Sequence, residues 1–125
     1  MRSGYGSSIL ADAKAAGKQA AQTASENLDA VKLALVYSSV AYDPSALLSG
    51  VQEVLPGVPL AGNTSFTGVI TPEGYVHGDD GFVGIFALGG DDLTVGVAGS
   101  AKSGSARETG QRVAREAMAR AGKDY

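Results

Sequence analysis

Residues 30–40 read AVKLALVYSSV, residues 43–57 read DPSALLSGVQEVLPG, and residues 58–65 read VPLAGNTS. The first stretch is a near-continuous apolar run of strand length, the pattern of a central strand buried on both faces. Asp43-Pro44 then supplies a helix N-cap followed by proline at the first helical position. Leu47, Leu48, Val51, Val54 and Leu55 recur at helical spacing, and Pro56-Gly57 ends the helix. The third stretch is a short strand running into a polar end. A strand–helix–strand unit joins parallel strands, because only a crossover of this length returns the chain to the same end of the sheet.

Outward from this unit, the upstream segment opens with Asp12 as a helix cap. A helix is expected to about Leu28, with Ala13, Ala16, Ala20, Ala24 and Leu28 on one face. A face made of alanine, with Gly17 beside it, lets the helix backbone lie very close to whatever it covers. Residues 1–8 are rich in Gly and Ser and read as a flexible N-terminal arm, with residues 9–125 forming one domain. Downstream, residues 69–76 read as a hairpin around Pro72-Glu73-Gly74. Residues 82–88 and 93–98 read as two further apolar strands, separated by a Gly89-Gly90-Asp91-Asp92 turn. Ser105 starts a last helix with Ala106, Gly110, Val113, Ala117 and Ala121 on one face. The expected order is α-β-α-β-β-β-β-α. The fold class is α+β, an α/β sandwich with a mixed sheet of about five strands flanked by helices. The two outer helices also resemble each other. Each begins with a capping residue, and equal separations join Ala13 to Ala106, Gly17 to Gly110, Ala21 to Ala114 and Ala24 to Ala117. That is the signature of a repeated unit, or of two alanine-rich helices alike by composition.

Composition narrows the function. The 125 residues include 18 Gly and 20 Ala, no Cys and no Trp, and charged residues are 18% against roughly 25% in ordinary domains. The hydrophobic share of 44% is too high for intrinsic disorder. Without cysteine there is no disulfide, thiolate metal site or cysteine nucleophile. A single histidine rules out a multi-histidine metal centre within one chain. A net charge of −3 argues against a nucleic-acid surface. No apolar run is long enough for a membrane span, and the N-terminus lacks the apolar region of a signal peptide. A cytoplasmic protein is expected, with no cofactor and no metal.

The residues that could carry chemistry sit at strand ends, where ligands of α/β sheets bind. Gly62, Asn63, Thr64 and Ser65 put a backbone that can approach a ligand closely beside several small hydrogen-bonding groups. Ser38 and Ser39 end the preceding strand. If the two strands are neighbours, both polar ends face one crevice. Asn, Ser and Thr also satisfy turns by themselves, which is the competing reading of the same residues. Asp43 reads as a helix cap, and His77-Gly78-Asp79-Asp80 as a solvated turn whose spacing matches no metal loop. No phosphate-binding glycine motif and no nucleophile elbow occurs. A serine hydrolase based on Ser38, Thr64 or Ser65 would need a base, and nothing in the sequence sets His77 beside them.

Taken in order, these pieces resemble a known family. They are the small-residue helix AGKQAA (residues 16–21), the strand LALVYSS (33–39), the Tyr42-Asp43 helix start, the LPGVPLAGNTS run (55–65), the VGIFAL strand (83–88) and the LTVGV segment (93–97). The chain is similar to the N-terminal domain of the FIST family of intracellular signal-transduction sensors, over roughly residues 8–122. Two departures stand out. Asn63 follows Gly62 where the family has a small residue, and Phe66-Thr67 adds a residue before Gly68. Family members are also longer, so the chain resembles a single-unit version. The resemblance implies small-ligand sensing, with amino-acid-like ligands, and no catalysis.

The expected function is therefore a non-enzymatic sensory module that recognises a small polar metabolite. Ser38, Ser39, Gly62, Asn63, Thr64 and Ser65 are the candidate ligand-binding residues. The alternative is a self-associating structural or interaction module without a small ligand. A homodimer or higher homo-oligomer is expected in either case, because alanine buries little apolar area and association supplies burial that the single chain lacks.

Overall fold

A computed structural model gives the fold and describes residues 1–122. Residues 123–125, part of the expected domain, lie outside the described residues. The elements are β1 (Arg2–Ser8), α1 (Ala13–Ser25), β2 (Val31–Ser39), α2 (Pro44–Val54), β3 (Leu60–Ser65), β4 (Val69–Thr71), β5 (Gly74–Val76), β6 (Val83–Gly89) and α3 (Ala106–Arg120). The main sheet runs β1-β6-β2-β3, and β4-β5 is a separate hairpin. β6 pairs antiparallel with both β1 and β2, while β2 and β3 are parallel. The class is thus α+β with a mixed sheet, as expected. The sheet has four strands, with the hairpin standing outside it.

The local signals that start the helices work as read. Asp12 accepts a hydrogen bond from the Ala15 amide at 2.7 Å, and Asp43 from the Ala46 amide at 2.8 Å. Ser105 and Glu108 form a reciprocal capping box at the start of α3. α1 and α2 lie together on one face of the sheet. Ala16, Ala20, Ala21 and Ala24 of α1 are buried against Leu47, Val51 and Leu55 of α2 and against Ala34, Val36, Val83, Ile85 and Ala87 of the sheet. Alanine contributes little apolar area, so close approach must supply the packing. A Cβ on Gly17 would stand 2.4 Å from the Leu47 carbonyl oxygen, and one on Gly50 would stand 2.0 Å from that of Lys14. The two helix backbones touch through reciprocal glycines.

Three expectations need correction. Residues 1–8 are not a loose arm: residues 2–8 form edge strand β1, in register with β6 from Arg2 opposite Gly89 to Ser8 opposite Val83. The strand escapes sequence reading because its core contact is glycine on backbone. A Cβ on Gly4 or Gly6 would stand 2.2 Å from the Ala24 or Ala20 carbonyl oxygen. Second, residues 93–98 form no strand. Both edges of β6 are already taken by β1 and β2, so the returning chain finds no free edge there. Third, β2 is not buried on both faces. Ala34, Val36 and Ser38 are buried on the helix side, whereas Leu33 and Leu35 are half-buried and Tyr37 is exposed on the other. No helix among the described residues is long and apolar enough to cross a membrane.

Candidate functional site

The β2–α2–β3 unit brings the two polar strand ends together. Its parallel register sets Tyr37 opposite Asn63, Ser38 opposite Thr64 and Ser39 opposite Ser65. A cleft of about 480 Å³ opens beside these ends, between α2, β3 and the returning chain. Ser38, Gly62, Asn63 and Thr64 line it, as the sequence predicts for a shared crevice. Backbone proximity decides Gly62: a Cβ there would fall 1.8 Å from the Val36 carbonyl oxygen.

Ser39 and Ser65 do not line this cleft, and both spend their hydroxyls on the chain itself. Ser39 Oγ accepts from the Ala41 amide at 3.0 Å, closing the turn after β2. Ser65 Oγ donates to the Gly68 carbonyl at 2.5 Å, closing the turn before β4. These are the local side-chain turns that serine favours. The candidate set therefore divides, with Ser38, Gly62, Asn63 and Thr64 at the cleft and Ser39 and Ser65 in the turns.

The rest of the lining is apolar. Val36, Leu47, Leu48 and Leu60 form the floor and one wall, and Pro44 at the first turn of α2 borders it. The far wall is Val97, Ala98 and Gly99. Sequence reading missed these three because the segment looks like one more strand of the sheet. The same segment lines a second depression beside Pro59 and Leu60, so it runs alongside the outer edge of β3 without joining its ladder. Arg120 anchors it by donating from Nη1 to the Val97 carbonyl at 2.7 Å.

No charged side chain is among the residues lining the cleft. Asp43 stands near its rim in sequence, but its carboxylate is engaged by the Ala46 amide at the α2 N-terminus. Recognition here must therefore rest on hydroxyl, amide and backbone groups set against hydrocarbon walls. Such sites take ligands whose orientation is decided by a few polar contacts and whose affinity comes from burial.

The other candidates from the sequence lie elsewhere. His77 stacks on Tyr75 of the hairpin, with ring centroids 5.4 Å apart, and does not line the cleft. Among the described residues no group of His, Asp and Glu is arranged to hold a metal ion. Tyr42 is buried and donates its hydroxyl proton to the Leu10 carbonyl at 2.5 Å. Burial raises its pKa, with a further contribution from the charge of Asp80. It is a strut between the β1–α1 loop and the turn before β6, where Gly81 leaves room for its ring.

No curated protein matches the chain. A family model does: the FIST N domain matches residues 32–124, from the second residue of β2 through the segment forming the far wall of the cleft and beyond. That match covers most of the sequence, and the chain belongs to the FIST family of sensory and signal-transduction domains through its FIST N domain.

Proposed function

We propose that the chain is a non-catalytic sensory module, acting in the cytoplasm, that binds a small amino-acid-like metabolite in the cleft beside β3. The observation that carries this reading is the convergence of Ser38, Asn63 and Thr64 on one apolar-walled cleft next to a backbone opened by Gly62. The hydroxyls of Ser38 and Thr64 and the amide of Asn63 both donate and accept. They can therefore engage the polar head of such a ligand, while Leu47, Leu48 and Leu60 cover its aliphatic part. With no charged side chain in the lining, ligands of high net charge are disfavoured, because that charge would be desolvated without a partner. Hydroxyl, amide and backbone groups can instead hydrogen-bond the two opposed charges of a zwitterion. The absence of a base among the lining residues favours binding over hydrolysis.

The test is a thermal-shift screen of amino acids and related metabolites. A ligand present at about 100 times its Kd adds about 2.7 kcal/mol of stability by mass action, a rise of several degrees in Tm. Thr64→Val and Ser38→Ala abolish that rise while leaving the ligand-free Tm within a few degrees. A screen in which no such metabolite at millimolar concentration moves the Tm overturns the proposal.

A further inference from the structure

We infer that the sheet face turned away from α1 and α2 is the contact surface for a second copy of this chain. The register sets Tyr5, Phe86 and Leu35 side by side across β1, β6 and β2 on that face, with Tyr37 in the next row. No helix covers them, and Tyr37 and Phe86 are 38% and 40% exposed. A solvated antiparallel face alternates toward charged and polar residues. Here the alternate positions of all three strands carry no charged residue, in a chain where 23 of the 125 residues are charged (10 Lys or Arg and 13 Asp or Glu). That composition belongs to a covered surface.

The hairpin β4–β5 explains the occupant. Val69 packs on the bare backbone of Gly84, so the hairpin stands over one end of the face. Between hairpin and sheet lies a groove of about 380 Å³ lined by Tyr5, Leu35, Tyr37, Phe86 and Ile70. Ile70 borders this groove yet is 89% exposed. Knob and socket therefore lie side by side on one surface, which is the geometry that closes about a two-fold axis: Ile70 of each copy seats in the groove of the other. Because the sheet face is uncharged, the net charge of −3 does not oppose this approach at the contact. The partly exposed Tyr37, Phe86 and Tyr75 and the exposed Ile70 leave apolar surface on both the face and the hairpin for the second copy to cover.

Light scattering or sedimentation of the full chain at micromolar concentration should give twice the monomer mass of 12.6 kDa. Ile70→Glu and Phe86→Lys should each give monomers with unchanged far-ultraviolet circular dichroism. Mixing the two variants in equal amounts should restore a dimer, because the new carboxylate and ammonium meet across one of the two equivalent contacts while the other stays native. A wild-type chain that is monomeric at hundred-micromolar concentration overturns the inference. So does a dimer that survives Ile70→Glu, whose exposure leaves the monomer's own packing untouched, or a mixture that stays monomeric.

Discussion

Helices α1 and α3 share a pattern of small residues in different surroundings. Both start at a capping residue, and Gly17 and Gly110 occupy the same place in each. Both also receive a glycine-bearing extended segment on the same alanine. A Cβ on Gly4 would stand 2.2 Å from the Ala24 carbonyl oxygen, and one on Gly96 would stand 1.9 Å from that of Ala117. There the likeness stops. α1 buries Ala16, Gly17, Ala20, Ala21 and Ala24, whereas α3 buries no residue. Gly17 is pressed against α2 through the Leu47 carbonyl, while nothing lies within 4 Å of where a Cβ on Gly110 would be. The same kind of local signal starts both helices, and packing against α2 and the sheet makes α1 the one that becomes core.

The largest test of that contrast is a pair of glycine substitutions. Gly17→Leu forces a side chain into the Leu47 backbone, where no rotamer change can relieve it. We expect a loss of about 3 kcal/mol or more and a Tm drop exceeding about 10 °C in thermal denaturation. Gly110→Ala fills open space in a helix interior and should raise stability by about 0.5–1 kcal/mol. If the two substitutions had similar effects, the distinction between the helices would fail.

A second pair sharpens the contrast on the side-chain side. Leu47 is 2% exposed and is one of the few large fully buried side chains. Leu47→Ala should cost about 2–5 kcal/mol by urea titration. Val113→Ala, on the half-buried face of α3, should cost under about 1 kcal/mol. An equal cost for both would mean that α3 contributes to the core as α2 does.

The smallest effect is electrostatic. Glu53 of α2 pairs with Lys14 of α1 at 2.5 Å and with Lys18 at 3.4 Å, so an ionic clamp spans the α1–α2 contact. The Lys14 hydrogen bond and charge hold the Glu53 carboxyl below its ordinary 4.5, and Glu53 in turn raises Lys14 above 10.5. A carboxyl lowered on folding stabilises above its unfolded pKa, and that contribution is lost as pH falls through the lowered value. The raised lysine contributes below its unfolded pKa, and its share is lost as pH rises past the folded one. Both partners are solvent-accessible, so the effect is small and screened by salt. Glu53→Gln should flatten the decline of Tm below pH 4.5 and remove its salt dependence, while leaving the Tm at neutral pH nearly unchanged. A wild-type acid limb identical to that of the variant would rule the clamp out.

The centre of the fold was legible because side chains write it. Asp43-Pro44 and the leucine spacing marked α2, the apolar run marked β2, and the polar ends of β2 and β3 marked Ser38, Asn63 and Thr64. The candidate site was legible in part. Ser39 and Ser65 share the composition of their neighbours, and only the turns that follow show their hydroxyls already engaged. Val97, Ala98 and Gly99 carry no signal of a site, because a cleft wall and a sheet strand use the same small apolar residues.

What the sequence determines by itself is therefore local: where helices start and stop, which strands lie parallel, and which polar residues gather at strand ends. Tertiary structure decided the rest. It made residues 2–8 a strand, because glycine meeting a helix backbone leaves no side-chain pattern to read. It kept residues 93–98 from pairing with β6, whose two edges are taken by β1 and β2, and left them beside β3 without a ladder. It left α3 unburied, because burial depends on partners, and α2 and the helix side of the sheet pack against α1.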